Sequence, residues 1–217
     1  MKRRFFMLCW SLVTVLGAAV TLPALATDEA PDALIKRLTQ DVLDTIEADK
    51  AVQAGDVARI MVLLDQKVMP YLNFQRMTAS AVGPGWRQAT PEQRTRLEAE
   101  FKTLLVRTYA GAMSQAKNLT VEVKPMRASQ GDKEVIVRTL IKGRGDPVQL
   151  DYRLEQTPGV GAGWKIYNLN VLGVWLVDTY RSQFAQEINA KGIDGLIATL
   201  SERNKANAAD NGKSAKG

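Results

Sequence analysis

The sequence contains no histidine, and its single cysteine, Cys9, lies close to the amino terminus. Without histidine the chain cannot build a Ser-His-Asp or Cys-His hydrolase centre or a histidine-ligated zinc site. It also lacks the side chain that most easily transfers protons near neutral pH. An enzyme with this composition would have to rely on carboxylates, lysine or tyrosine, and no pairing of those residues stands out.

The first 26 residues are typical of a secretory signal peptide. Lys2-Arg3-Arg4 is a basic region, residues 5–16 are mostly apolar, and Ala24-Leu25-Ala26 matches a small-residue cleavage site. An uncleaved membrane anchor is the alternative, but the apolar stretch is short and Pro23 follows it. We therefore expect export of the protein, with cleavage after Ala26.

Cleavage would remove the only cysteine, so the exported protein would have no disulfide and would depend on its hydrophobic core. The formal net charge of the whole chain is +6, and Lys2-Arg3-Arg4 supplies half of it. Part of the remaining excess lies near the carboxyl terminus, so the folded body is close to neutral. This balance argues against a nucleic-acid-binding surface.

We expect one domain over residues 27–203 and a disordered tail over residues 204–217. The length that remains after cleavage suits one domain with a sizeable core. From Asn204 onward the sequence has no large apolar residue, only asparagine, alanine, lysine, aspartate, glycine and serine. Such a composition is typical of disorder.

Apolar residues that recur at helical spacing predict about six helices. Residues 31–54 form the first, and the second lies between Asp56 and Pro70. A short third helix covers residues 71–82, and the fourth begins at a capping box, Thr90 with Gln93, and runs to about Ala116. The fifth begins near Gly173, a break at Lys191-Gly192 ends it, and the sixth begins at Asp194.

Four segments alternate between apolar and polar residues and predict strands over residues 118–124, 134–142, 148–155 and 164–171. Their connections are short, so we expect an antiparallel meander. The predicted fold class is α+β. A twisted antiparallel sheet of four strands, or slightly more, packs with about six helices.

The last strand decides how the sheet is covered. By strict alternation Trp164 and Ile166 point to one face, and Tyr167, Leu169 and Val171 to the other. Both faces would then need apolar cover. One of the two layers is either ordinary core or the wall of a space for a hydrophobic ligand. Aromatic residues are compatible with both interpretations; they are Tyr109, Tyr152, Trp164, Tyr167, Trp175, Tyr180 and Phe184.

Several pieces of the sequence occur in a characteristic order and spacing: Trp86-Arg87, Thr90-Pro91-Glu92-Gln93, Phe101, Leu104-Leu105, Tyr109, the meander, Trp164-Lys165-Ile166-Tyr167, Gly173-Val174, Leu176-Val177, Tyr180-Arg181, Phe184 and residues 192–197. In this order and spacing the sequence resembles the MlaC family over residues 31–201. Two positions depart from the family pattern. Asn168 replaces a residue that is often an acid, and Trp175 replaces a small polar residue and could fill part of a cavity.

The resemblance implies a periplasmic carrier of phospholipid without a cofactor, an auxiliary component of an ABC transporter. Such a carrier moves lipid between an outer-membrane lipoprotein–porin complex and an inner-membrane ABC transporter with an MCE-domain subunit, which maintains outer-membrane lipid asymmetry. The implied fold encloses the acyl chains and leaves the headgroup outside. A cavity for two chains is expected near or above roughly 1,000 Å³.

From this resemblance and the strand pattern we predict the lipid-binding residues. The predicted cavity lining is Leu105, Tyr109, Val121, Val137, Tyr152, Leu154, Ile166, Val171, Val174 and Tyr180. Lys142, Arg144 and Arg181 are predicted to contact the headgroup or a partner. Lys142-Gly143-Arg144-Gly145 superficially resembles a phosphate loop, but it joins two strands and is primarily a hairpin connection.

Two alternatives remain open at this stage. The chain could be an enzyme of a cone-shaped α+β fold acting on a small apolar substrate, which predicts an acid deep in the cavity. The acids Glu122, Asp151 and Glu155 fall on the polar faces of their predicted strands instead. The chain could also be a scaffold without a ligand, with every aromatic residue in the core.

Overall fold

The protein is represented by a computed structural model that describes residues 29–126 and 131–214, with only the backbone described for 209–214. The predicted signal peptide lies outside these residues. Six helices precede the sheet: α1 (Pro31–Ala48), α2 (Lys50–Gln53), α3 (Val57–Lys67), α4 (Phe74–Val82), α5 (Gly85–Gln88) and α6 (Pro91–Ser114). A single 3₁₀ turn, Met69–Tyr71, separates α3 from α4.

Local side-chain caps determine where several of these helices begin. The predicted capping box is confirmed at α6, where the Thr90 hydroxyl accepts from the Gln93 N–H at 3.2 Å and the Gln93 side chain accepts from the Thr90 N–H at 3.0 Å. The helix expected over residues 31–54 is instead divided at Asp49. This residue is extended (φ −104°, ψ 104°), and its carboxylate accepts from the N–H groups of Ala51 and Val52. It therefore caps α2 and ends α1.

The predicted antiparallel meander is confirmed, with one strand more than the four expected. The strands are β1 (Thr120–Val123), β2 (Glu134–Lys142), β3 (Val148–Gln156), β4 (Trp164–Val171) and β5 (Val174–Trp175). Their order in the sheet follows the chain, and every pair is antiparallel. The fold is thus α+β, as the sequence predicts.

The fifth strand exists because the chain reverses immediately after β4. Leu172 and Gly173 both have positive φ, 52° and 88°, the backbone of a two-residue hairpin turn with the twist that neighbouring strands need. Val174 then pairs with Val171, and Trp175 pairs with Asn170. The helix expected near Gly173 consequently begins at Leu176.

A β-bulge in β4 corrects the predicted orientation of its side chains. The pairing runs from Arg153 opposite Asn168 directly to Leu154 opposite Ile166, so Tyr167 is the extra residue. Leu169 and Val171 therefore share a face with Ile166, because alternation restarts after the bulge. The expectation that β4 carries large apolar groups on both faces fails at this residue.

The last helix, α7 (Leu176–Ser214), contains the predicted break. Gly192 has φ 70° and ψ −173°, which no helical residue adopts, and the chain resumes a helix beyond it. The helix then continues through residues 204–214, where composition predicted disorder. Asn204 is buried, and its side-chain amide donates to the Glu100 carbonyl at 3.0 Å. A helix already formed extends at little cost, even through a polar sequence.

Three packed clusters hold the fold together. In the first, α4, α6 and α7 pack around Phe101, whose ring contacts Tyr180 and Phe184 edge to face at 5.0 and 5.3 Å between centroids. The second joins α1 to the middle of the sheet, and the third joins the end of α1 to α2, α3 and α6. In the described part of the chain, no helix is both long and apolar enough to cross a membrane.

Asn168 joins β4 to the beginning of α7, and we predict that its removal destabilises the fold. Its buried Oδ1 accepts from the N–H groups of Leu169 at 2.9 Å and Val177 at 3.2 Å. Asn168→Ala leaves both donors unpaired, so the free energy of unfolding should fall by about 1–3 kcal/mol. Asn168→Asp keeps the acceptor and is the matched control in urea denaturation. An alanine variant as stable as the parent would contradict this role.

Candidate functional site

An apolar cavity of about 440 Å³ lies where the three packed clusters meet. The sheet forms its floor, α1 and α3 form one wall, and α6 forms the other, with the start of α4 and of α7 at one end. The residues that line it are Leu38, Thr39, Val42, Leu43, Ile46, Leu64, Val68, Met69, Leu72, Phe74, Met77, Lys102, Leu105, Val106, Tyr109, Ala112, Met113, Ala116, Leu119, Ile141, Val148, Leu150, Tyr152, Ile166, Leu169, Val171 and Leu176.

Very few polar groups reach this cavity. The hydroxyls of Thr39 and Tyr152 share a hydrogen bond at 3.3 Å, which satisfies both at the sheet. Burial raises the pKa of Tyr152 and that of Tyr109, so both phenols stay neutral at physiological pH. Lys102 turns its ammonium to Asp65 at 2.9 Å on the surface of α3. The wall is therefore a hydrocarbon surface with two neutral phenols and one neutral hydroxyl.

Five of the ten residues predicted as lipid-binding line this cavity. They are Leu105, Tyr109, Tyr152, Ile166 and Val171. Leu105 and Tyr109 lie one helical turn apart on α6, and the other three come from β3 and β4. The bulge brings Val171 to the cavity, because it restores the face that Ile166 occupies.

The other five predicted residues lie elsewhere. Val137 and Leu154 are fully buried under α1, and Tyr180 packs against Phe101 in the aromatic cluster. Val121 is half-buried in the short edge strand β1, outside the lining, and Val174 is 51% exposed in β5. Each has the correct apolar character for a wall, but sequence spacing could not distinguish a residue under a helix from one beside a gap.

Most of the residues that the helices contribute to the wall were not predicted from the sequence. Leu38, Val42 and Ile46 of α1 form the four-residue repeat that predicted the helix itself. Leu64 comes from α3 and Met69 from the 3₁₀ turn after it. An apolar stripe on a helix predicts burial but not what covers it. Methionines at 69, 77 and 113 were the one available signal, because flexible thioether side chains are common at adaptable binding surfaces.

The three predicted cationic residues lie at different places. Lys142 forms an ion pair with Glu122, and Lys124 contacts the same carboxylate at 2.6 Å. The hydrogen bond from Lys124, and then that from Lys142, lower the pKa of Glu122 to about 2. Arg181 is exposed on α7 with its guanidinium beside Gly83, away from the cavity. Arg144 lines a smaller pocket that adjoins the cavity and contains both apolar and polar side chains.

The opposite face of the sheet carries ionic and cation–π contacts. Arg76 of α4 bonds Glu134 at 2.6 Å, pairs with Glu155 and stacks on the Tyr167 ring at 3.7 Å. Trp175 does not fill the cavity as the sequence suggested, because its ring packs under the Arg153 guanidinium at 4.0 Å. Among the side chains that the structure describes, in residues 29–126 and 131–208, no cluster of carboxylates could hold a metal ion.

The family model of the MlaC protein matches residues 36–202. The chain belongs to the MlaC family. It is 26% identical over 204 residues to the toluene tolerance protein ttg2D of Pseudomonas putida, covering 91% of this chain and 92% of that protein. It is 22% identical over 204 residues to the intermembrane phospholipid transport system binding protein MlaC of Haemophilus influenzae, covering 93% of each.

A solved structure agrees with the fold and was determined with a lipid. The phospholipid-binding protein of Ralstonia solanacearum, in complex with a phospholipid, superimposes with a TM-score of 0.78 at 44% identity. The match covers 82% of this chain and 98% of that one. The predicted membership of the MlaC family and the predicted α+β fold are both confirmed.

The cavity is smaller than expected for two acyl chains. Its volume of about 440 Å³ is less than half of the roughly 1,000 Å³ anticipated. Large side chains border the space, among them Phe74, Met77, Tyr109 and Met113. Three methionines on the wall give it a means of changing shape, since their side chains rotate about three bonds.

Packing and lining residues should differ in their effect on stability. Leu154 is fully buried outside the cavity, whereas Leu105 lines it and is half-buried. Leu154→Ala should lower the free energy of unfolding by about 2–5 kcal/mol, because it opens a new void in a filled core. Leu105→Ala should cost clearly less, since one side of Leu105 already lacks neighbours. Urea denaturation of both variants measures the difference, and equal losses would mean that Leu105 is packed as tightly as Leu154.

Proposed function

We propose that this protein is a periplasmic carrier that holds the acyl chains of a phospholipid in the apolar cavity and leaves the headgroup outside. The observation that carries the proposal is the cavity wall, which is hydrocarbon, the stem of Lys102 included, apart from two phenols and one hydroxyl. The phospholipid complex of the Ralstonia solanacearum relative, at 44% identity, supports the same ligand class.

The free energy of lipid transfer explains why such a wall is needed. A phospholipid with two acyl chains has roughly 30 methylenes, so exposing them to water would cost about 20 to 25 kcal/mol. Free diffusion of the lipid between membranes is therefore negligible. A protein that offers an equivalent apolar surface exchanges one hydrophobic environment for another at nearly equal free energy, and it needs no catalytic group to do so.

The rim of the cavity offers a route for the tails. Val148 lines the cavity and is 37% exposed, and Ala112 on α6 lines it from the other side and is also exposed. Leu172 and Val174, 66% and 51% exposed, lie at the same end of the sheet, because the Leu172 N–H donates to the Gln149 carbonyl beside Val148. Acyl chains would enter between α6 and this end of the sheet.

The proposal extends to the partners and the place of action. The lipid would pass between an outer-membrane lipoprotein–porin complex and an inner-membrane ABC transporter with an MCE-domain subunit, and this exchange would maintain outer-membrane lipid asymmetry. The name of the Haemophilus influenzae relative, an intermembrane phospholipid transport system binding protein, supports this assignment. The direction of net transport would come from the energy-consuming transporter rather than from the carrier.

Lipid recovered from the purified protein tests the proposal directly. Leu105→Glu and Leu169→Glu place a carboxylate on two half-buried parts of the wall, and Val160→Glu places one on an exposed turn (57% exposed). Organic extraction and mass spectrometry should find phospholipid in the parent and the Val160 variant, and at least tenfold less in the two wall variants. Thermal denaturation verifies that all of them fold.

Three results would contradict the carrier assignment. Wall variants that retain the parental amount of phospholipid would place the ligand outside this cavity. A small apolar molecule recovered in place of phospholipid would favour the enzyme alternative, and no ligand in any variant would favour a scaffold.

The proposed export has a separate test. If the signal peptide is removed after Ala26, the intact mass of the protein from the periplasmic fraction will correspond to a chain that begins at Thr27. A mass that includes residues 1–26 would indicate an uncleaved anchor. Cleavage after Ala26, by contrast, would leave the domain over residues 27–203 and the tail that follows it.

A further inference from the structure

We infer that the smaller pocket beside the cavity is a phosphate-binding subsite in which Lys117 and Arg144 hold the phosphate of the bound lipid. The inference rests on the proposed function and adds to it the group that recognises the headgroup. The pocket has a volume of about 380 Å³. Its residues come from two segments only, the end of α6 with the approach to β1, and the hairpin between β2 and β3: Gln115, Lys117, Asn118, Leu119, Ile141, Gly143, Arg144, Gly145, Asp146 and Val148.

The pocket and the apolar cavity are neighbours with a common wall. Leu119, Ile141 and Val148 line both of them. A ligand that spans this wall would meet hydrocarbon on one side and cationic and amide side chains on the other. A phospholipid has the same division, with its phosphate directly attached to the glycerol that carries both tails.

The backbone brings the two segments together closely. The hairpin passes so near the side chain of Leu119 that a Cβ at Gly143 would collide with it. Asn118 has φ 52°, a left-handed conformation that asparagine tolerates better than most residues. This turn places Lys117 next to the hairpin that carries Arg144, although the two residues lie far apart in the sequence.

The pocket contains two cationic side chains and one carboxylate. Neither Lys117 nor Arg144 forms an ion pair with any residue that the structure describes, whereas the nearby Lys124 and Lys142 both pair with Glu122. Asp146 is the only carboxylate in the pocket, so two cations face one anion. The remaining positive charge matches a singly charged phosphodiester, and arginine can hold two of its oxygens at once.

Their location also distinguishes Lys117 and Arg144 from the two remaining cationic residues that the sequence predicted. The ammonium of Lys142 is held by Glu122, and Arg181 lies beside Gly83 on α7. Of the three cationic residues predicted from the sequence, only Arg144 borders the cavity through this pocket. Lys117 was not predicted, because it follows a helix end and belongs to no recognisable motif.

A competition between two lipids with identical chains tests the subsite. The protein is mixed with vesicles that contain equal amounts of phosphatidylglycerol and diacylglycerol, recovered, and extracted for mass spectrometry. The parent should favour the phosphate-bearing lipid. In the double variant Lys117→Gln with Arg144→Gln, that preference should fall roughly fivefold, the effect of two partly exposed ion pairs. The matched control, Lys142→Gln with Arg181→Gln, removes the same charge and should keep the parental ratio.

The outcomes separate this inference from the proposed function. A fall in the ratio for the Lys117 and Arg144 variant alone supports the subsite. An unchanged ratio, or an equal fall in the control, overturns the subsite and leaves the carrier function intact. Recovery of neither lipid from any variant overturns both.

A further measurement distinguishes lipid phosphate from free phosphate. Calorimetric titration of the purified protein with inorganic phosphate should detect no binding that depends on Lys117 and Arg144. A free phosphate ion has no acyl chains, so burial of apolar surface adds nothing to its affinity. Binding of inorganic phosphate that the double variant abolishes would assign the pocket to the free anion and overturn the lipid assignment.

Discussion

The β-bulge at Tyr167 decides which side chains of β4 face the helices. Without it, Leu169 and Val171 would point away from Ile166, and the cavity would lose two apolar residues from its floor. With it, one face of the sheet is apolar along the whole of β4, while Asn168 and Asn170 turn to the other. The inserted residue itself is used on that other face, where Tyr167 packs under Arg76 and its hydroxyl donates to Glu134 at 3.0 Å.

The apolar face of the sheet is covered in two different ways. Under α1 the side chains of Val137 and Leu154 are fully buried and the space is filled. Beside this region, α6 faces Leu150, Leu169 and Val171 without filling the space above them, and a cavity remains. A filled core supplies stability through dispersion contacts, and a gap in the same layer gives up part of it. The packed half thus supports the half that can accept a ligand.

A hydrocarbon wall accounts for retention of acyl chains but not for recognition of a headgroup, because every diacyl lipid has similar tails. Polar groups at the end of the cavity must supply any such discrimination. The pocket beside Leu119 and Val148 is suited to this, since it joins the cavity and carries Lys117 and Arg144, neither of which pairs with a carboxylate in the described part of the chain. The wall also contains Met69, Met77 and Met113, whose flexible side chains can follow tails of different length.

Local pattern in the sequence was sufficient for the fold class, the family, the capping box at Thr90, the four longer strands and the break at Gly192, because each depends on neighbours in the chain. The division of the first helix at Asp49 and the fifth strand after Leu172 needed only a carboxylate cap and a tight turn, yet the competing helical periodicity concealed both. The bulge is different, since its position follows from how β3 and β4 pair, and no residue type near Tyr167 predicts it. The same holds for the cavity: Leu105 and Leu154 are both leucines on apolar faces, and only the distance between α6 and the sheet makes one a wall and the other a core residue.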